Sequence, residues 1–160
     1  MANWCSNSVM FTGEQNQIDE LGTLFLQMAE KEKSEERGQL PPFITEAKDW
    51  LFYISWEAEV LCFETRWTPN IEVIRQIADH YGVGFIHGYM ETGNLIFGEA
   101  TYENGILTDV FLDPEDFDQY EYNEETDTCA FKEETYESDM EILELLLDRK
   151  KNQNHENDNH

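Results

Sequence analysis

The chain has 160 residues, with 35 Asp and Glu against 10 Lys and Arg, so its formal net charge is −25. That length allows one compact domain, with or without a tail, and the four Trp, seven Tyr and ten Phe exclude a wholly disordered chain. The charge argues against direct binding to nucleic acid, whose phosphates are bound by Lys and Arg, and against an anionic membrane surface.

The cysteines and the N-terminus indicate a reduced, cytoplasmic protein. Cys5, Cys62 and Cys129 are widely spaced and form no CxxC pair, which is not the pattern of a disulfide framework. The first residues lack the basic and apolar regions of a secretory signal. No apolar stretch approaches the roughly 20 residues of a membrane-spanning helix, so we expect no membrane segment.

The first half of the chain alternates strand and helix patterns. Ser8–Thr12 has the period-two pattern of a strand, and apolar residues recur at helical spacing over 15–35. A connector with two prolines follows over 37–47. The region 50–67 has the densest strand pattern, and we expect a single strand there.

The second half begins with a helix and continues with strands. The helix is predicted from Pro69, with Thr68 as its N-cap, to Gly82. The last two strands are joined at Asn104-Gly105, a strong hairpin signal. The three strands after the helix are Val83–Glu91, Leu95–Tyr102 and Ile106–Leu112.

The order of these elements predicts an α+β fold. It is a ferredoxin-like, βαββαβ-type antiparallel sheet with helices on one face, plus an extra C-terminal hairpin strand and a C-terminal helix. We divide the chain into a ferredoxin-like core over 1–112, an acidic extension over 113–150 and a disordered polar tail over 151–160. The extension ends in a helix over Ser138–Lys150, where Ser138 opens a capping box with Glu141.

Short motifs in residues 3–112 point to a family. In chain order they are Asn3-Trp4-Cys5-Ser6-Asn7, Leu40-Pro41-Pro42, Trp56, Phe63-Glu64-Thr65-Arg66-Trp67-Thr68-Pro69, Tyr89-Met90-Glu91-Thr92-Gly93, Gly98 and Tyr102-Glu103-Asn104-Gly105. Together they resemble the YubB ferredoxin-like family, which is found on bacterial plasmids, conjugative elements and prophages. The chain departs from that pattern at 52–56, where the family has Trp-Gly-Thr-Lys-Trp, and at Asn70, where it has a second proline. The resemblance implies a ferredoxin-like fold and a mobile-element context, and it implies no reaction.

Seven core residues are candidates for a functional or structural motif. Glu64 and Glu91 would form a carboxylate pair for acid–base chemistry, with a nearby Cys or His, if neighbouring strands place them in one concave site. That is the enzyme hypothesis; otherwise Glu64 orients neighbouring backbone and tryptophans. The aromatic residues lack the basic rim of an RNA-binding sheet and are interpreted as core. The seven residues are Trp4, Asn7, Trp56, Glu64, Trp67, Tyr89 and Glu91.

The acidic extension is the second candidate site. Residues 113–148 hold 15 acids and one base, Lys132, a charge dense enough to steer a basic partner. One hypothesis is a non-enzymatic interaction protein whose acidic face binds a basic protein surface, imitating nucleic-acid phosphates and inhibiting a host nucleic-acid-processing or defence protein. The other is a surface that only confers solubility. The acidic face consists of Asp113, Glu115, Asp116, Asp118, Glu121, Glu124, Glu125 and Asp127.

No pattern predicts a cofactor or a metal. HExxH, P-loop and GxGxxG patterns are missing from the sequence. The acids of 113–118 lack the glycine that an EF-hand loop requires, so they are interpreted as a solvated surface. Oligomeric state stays open between monomer and homodimer, because an exposed sheet edge or face can pair with a second copy.

Overall fold

The computed structural model describes residues 3–158. Its elements are β1 Trp4–Thr12, α1 Gln15–Glu35, β2 Phe52–Glu57, β3 Val60–Arg66, α2 Ile71–Tyr81, β4 Gly84–Glu91, a 3-10 turn Thr92–Asn94, β5 Ile96–Glu103, β6 Ile106–Phe111, α3 Pro114–Phe117, β7 Glu121–Asn123, β8 Thr128–Phe131, β9 Glu134–Tyr136 and α4 Asp139–Asp158. None of the helices in this part of the chain combines the length and hydropathy needed to cross a bilayer.

Six strands form an antiparallel sheet in the order β2-β3-β1-β4-β5-β6. Alternate residues of the central strand β1 point to the face that α1 and α2 cover, which we call the helix face. Phe11 stacks there on Phe25 of α1, and Ile77 of α2 is fully buried in the same core. The predicted α+β fold with a ferredoxin-like sheet and helices is confirmed.

The region predicted as one strand folds as the hairpin β2–β3. Its two-residue loop is Ala58-Glu59, and both residues have positive φ, 50° and 62°. Such a loop matches the twist of antiparallel strands, but it normally contains Asn or Gly. Because Ala and Glu are not typical turn residues, the alternating pattern over residues 50–67 predicts one continuous strand.

A bulge in β2 is held by a carboxylate from α1. The pairing register shifts between Phe52 and Ser55, which leaves two backbone N–H groups without a ladder partner. Tyr53 and Ile54 donate these N–H groups to the Glu32 carboxylate at 2.7 and 2.9 Å. The first helix therefore fixes the shape of the edge strand.

The helix boundaries follow the predictions with small shifts. α1 spans the predicted residues, and Gly82 ends α2 at φ 68°. α2 begins at Ile71 with Asn70 at the N-cap, two residues after the predicted start, and the Thr68 carbonyl accepts the Thr65 hydroxyl in the turn that precedes it.

Residues 113–158 form a small second unit. β7, β8 and β9 make a three-stranded sheet, and α4 packs on the face of the large sheet opposite the helix face, over β5 and β6. Phe97 and Val110 of the large sheet join the buried core of this unit. The other buried members are Leu112, Phe117, Cys129, Phe131, Ile142, Leu143, Leu146 and Leu147.

Helix α4 extends beyond its predicted end at Lys150. It continues through Asp158, so the structure differs from the disordered tail predicted over 151–160; the last two of those residues lie outside the described chain. The chain has no Gly or Pro after 150 that would stop the helix. Lys151 also pairs with Glu99 of β5 at 3.1 Å and with Asp148 at 3.3 Å, which ties this end of α4 to the sheet.

Candidate functional site

Asn7 lies at the centre of a buried hydrogen-bond network on the helix face. Its Nδ2 donates to the Cys5 carbonyl at 2.9 Å and to Thr65 Oγ1 at 3.0 Å, and its Oδ1 lies 2.8 Å from His87 Nε2. The Thr65 hydroxyl in turn donates to the Thr68 carbonyl at 2.7 Å. The network connects three strands and the turn before α2, so Asn7 has a structural role.

His87 is neutral and has no exposed surface. Burial lowers its pKa to about 3. Because Asn7 Oδ1 can only accept, the proton is on His87 Nε2, and Nδ1 is left without a hydrogen-bond partner among residues 3–158. A histidine in this position has no access to a substrate.

The predicted carboxylate pair does not form. Ser6 of β1 pairs with Glu64 on one side and with Met90 on the other, and paired residues point to the same face. Glu91, the next residue after Met90, therefore points to the helix face, opposite Glu64. Its Oε1 accepts the Gly93 N–H at 3.1 Å. The register of the sheet therefore contradicts the prediction that Glu64 and Glu91 form an acid–base pair.

The cysteine nearest to Glu91 is no activated nucleophile. Cys5 is fully buried, and burial, followed by the negative charge of Glu91, raises its pKa to about 11. Its thiol therefore stays protonated at neutral pH. Cys62 is exposed on the opposite face of the sheet.

The candidate aromatic residues lie in separate places. Trp56 stacks on Phe25 in the core at 5.7 Å. The Tyr89 hydroxyl donates to Asp109 at 2.6 Å, and burial together with this bond raises the pKa of Tyr89. Trp4 and Trp67 are exposed by 38% and 51%. The seven candidate residues therefore do not form one site.

Two members of the acidic face hold the second unit together. Asp113 and Asp116 form a capping box on α3, and both pair with Lys150 of α4, at 2.8 and 2.6 Å. Burial alone would lower the pKa of Lys150, but the bonds to these carboxylates raise it. These two residues are therefore structural.

The other six members of the acidic face are exposed. They have no cationic partner within 4.0 Å among residues 3–158, and Asp127 accepts a hydrogen bond from Tyr122 at 2.6 Å. The segment from α3 through the β7–β8 loop thus presents exposed negative charge that no cation of the described chain neutralises. These six are Glu115, Asp118, Glu121, Glu124, Glu125 and Asp127.

A groove that sequence reasoning missed lies on the open face of the sheet, beside α4. Its volume is about 670 Å³. One wall is a stripe of α4 and the opposite side is Tyr53 of β2. The floor is formed by small or partly exposed side chains of β1, β3 and β4, namely Ser6, Ser8, Cys62, Gly88 and Met90.

The sheet, its order and its helices define a ferredoxin-like α+β protein. The family described as "Ferredoxin-like domain in Api92-like protein" matches residues 48–132, more than half of the chain. The chain therefore belongs to this family. The matched region contains five strands of the large sheet, while the central strand β1 precedes it. No curated protein and no solved structure matches the chain.

Proposed function

We propose that this chain is a non-enzymatic interaction protein that binds a basic protein surface through its acidic face. The observation that carries the proposal is the set of six exposed carboxylates on the folded second unit, for which residues 3–158 offer no cationic partner. Because α3, β7 and the β7–β8 loop carry them within one short stretch of the folded chain, their charges add to a field that steers a basic partner and speeds encounter.

The context of this function follows from the YubB resemblance. We propose a protein of a plasmid, conjugative element or prophage, acting in the cytoplasm, where its three free cysteines stay reduced. Partners with basic surfaces in that setting are nucleic-acid-processing or defence proteins, of the host or of the element. A carboxylate cluster imitates the phosphates such proteins bind and would inhibit them by occupying the same surface.

The enzyme alternative receives no support from the geometry. Glu64 and Glu91 point to opposite faces, the Cys5 thiol is protonated, and His87 is enclosed in the core. These placements give no support to the Glu64/Glu91 pair acting together with Cys5 or His87.

The test is affinity capture from a bacterial lysate, at low and at physiological salt, followed by DNA competition with the captured protein. We expect basic nucleic-acid-binding proteins, bound more strongly at low salt, and release of their DNA on addition of the chain. An acidic-face variant should bind about tenfold more weakly, at roughly 0.3 kcal/mol for each lost carboxylate. Its five substitutions are E115Q, D118N, E121Q, E124Q and E125Q.

The control removes the same charge from exposed carboxylates elsewhere and should bind as the unmodified chain does. Asp113 and Asp116 are kept in both variants, because their loss would disturb the contact between α3 and α4. Equal capture by the two variants, or capture that salt does not change, would overturn the proposal. The control substitutions are E20Q, E30Q, E36Q, E46Q and E57Q.

A further inference from the structure

The open face of the large sheet is only half covered. Helix α4 covers β5 and β6, whereas the neighbouring strands β4, β1 and β3 form the floor of the groove and Tyr53 of β2 forms its far side. Large apolar side chains stay exposed on this part of the sheet: Met10 by 55%, Ile86 by 40% and Tyr53 by 67%. Exposed apolar side chains on an uncovered sheet face are a feature of interaction sites.

The uncovered width suits one α-helix. Four adjacent strands at about 4.8 Å spacing span about 14 Å, and a helix with its side chains is about 10–12 Å wide. α4 itself shows that a helix packs on this face. Its residues Met140, Glu144, Leu147, Asp148 and Lys151 face the groove at helical spacing, as a second helix lying alongside would require.

The negative charge of the groove determines which kind of helix it can bind, namely one with basic side chains. Glu64 on the floor and Glu144 on the α4 wall have no cationic partner among the described residues. The one cation in the lining, Lys151, is already shared by Glu99 and Asp148. A second copy of the chain would carry the same net charge of −25, so the groove repels it. Nucleic acid is repelled for the same reason, because its phosphates are negatively charged.

We propose that the groove binds an amphipathic helix of a partner protein, with an apolar stripe flanked by Lys and Arg. The stripe packs on Cys62, Met90 and Leu147, and the flanking cations pair with Glu64 and Glu144. This surface is distinct from the acidic face, so each can be tested without the other. The mode is that of a helix laid in an apolar groove, anchored at positions i, i+3, i+4 and i+7.

The probe is a synthetic peptide of about 18 residues, five helical turns, with a leucine stripe and lysines on both flanks. A matched peptide carries the same stripe with glutamates in place of the lysines. Titration of the labelled peptides should show binding of the basic peptide only. Binding of neither peptide, or of both equally, would overturn the proposal.

A first variant obstructs the groove from its floor. A Cβ at Gly88 has no atom within 4 Å, so Gly88→Leu can direct a side chain from the floor into the groove. We expect at least a tenfold loss of affinity for the basic peptide, about the effect of losing 1.4 kcal/mol. Thr108→Leu adds a comparable side chain at an exposed position of β6 outside the groove and should leave affinity unchanged.

A second variant reverses the charge of the groove. E64K/E144K should lose the basic peptide and gain the acidic one, whereas E30K/E46K, with the same net charge and exposed positions outside this face, should keep the preference of the unmodified chain. If the acidic-face variant loses the basic peptide and Gly88→Leu keeps it, the groove proposal is overturned while the proposed function stands. The reverse result supports the groove and leaves the proposed function to its own capture experiment.

Discussion

At the scale of the residue, the buried side chain of Asn7 explains the opening Asn3–Asn7 motif, which the sequence alone identifies but does not explain. Asn7 ends the opening Asn3–Asn7 motif, and its side chain joins β1 to Thr65 and to His87. A carboxamide suits this position because it donates to an oxygen on one side and accepts from a ring N–H on the other. The motif therefore encodes the junction of three strands, and its presence says nothing about catalysis.

The buried histidine makes stability depend on pH. The pKa of His87 is about 3 in the folded chain and near 6.5 in the unfolded chain. Between pH 6.5 and pH 3 the histidine is therefore protonated in the unfolded chain and neutral in the folded chain. His87 therefore contributes a loss of stability as pH falls from about 6.5 towards 3, at up to about 1.4 kcal/mol per pH unit. Chemical denaturation from pH 7 to 4 should show a shallower dependence in His87→Gln.

His155→Gln is the control, since His155 is exposed on α4 and its loss leaves the core unchanged. Identical pH profiles for His87→Gln and the unmodified chain would show that the histidine is not held neutral in the folded state.

At the scale of the element, the two hairpins of the large sheet differ in how well their sequences suit their loops. Asn104-Gly105 and Ala58-Glu59 both adopt positive φ at two successive residues. Asn and Gly tolerate this region, whereas Ala and Glu are strained in it by about 1 kcal/mol each. The β2–β3 loop is thus formed against local preference, because its strands pair and bury Leu61 and Ile54.

Exchanging the two loop sequences tests this interpretation. A58N/E59G should raise the free energy of unfolding by about 1–2 kcal/mol, since it relieves about 1 kcal/mol of strain at each position. N104A/G105E should lower it by a similar amount; a Cβ at Gly105 meets no atom within 4 Å, so the cost is conformational. Denaturant unfolding of both variants measures the difference, and a destabilised A58N/E59G would contradict the argument.

At the scale of the whole molecule, negative charge is concentrated in the second half of the chain. There it favours encounter with a basic partner but opposes folding. Residues 81–160 hold 21 acids and four bases. Within 113–148, only Asp113, Asp116 and Asp148 have a cationic partner among the described residues. The second unit must therefore bring its remaining carboxylates close together against their mutual repulsion. The buried core around Leu143 and Ile142 offsets this repulsion.

Salt should stabilise the chain. Raising ionic strength from about 0.01 to about 0.15 M shortens the screening length from about 30 to about 8 Å, which weakens the repulsion more than the few ion pairs. We expect Tm to rise by about 2–4 °C, equivalent to about 1 kcal/mol. Calorimetry of the unmodified chain and of the acidic-face variant measures this, and the variant should respond less. A Tm that falls with salt would mean that attraction dominates.

Local patterns determined most of the fold. Helical spacing in α1, the αL glycine after α2, the Asn104-Gly105 hairpin and Ser138, whose hydroxyl accepts the Met140 N–H at 3.0 Å, all depend on near neighbours in the chain. The acidic composition of 113–148 was equally plain from the sequence. Each of these features is visible because the residues that cause it are adjacent or a few positions apart.

Only the tertiary structure decided which residues meet. The register of β1 with its two neighbours places Glu64 and Glu91 on opposite faces of the sheet. Lys150 forms ion pairs with Asp113 and Asp116, which neutralise part of the acidic face. Helix α4 covers only part of the open face and leaves a groove beside it. These outcomes depend on pairings between residues far apart in the chain, and a shift of one residue in register would reverse the face of every side chain in a strand. The net charge of −25 is thus a property of the sequence, whereas the positions that can bind a partner are a property of the fold.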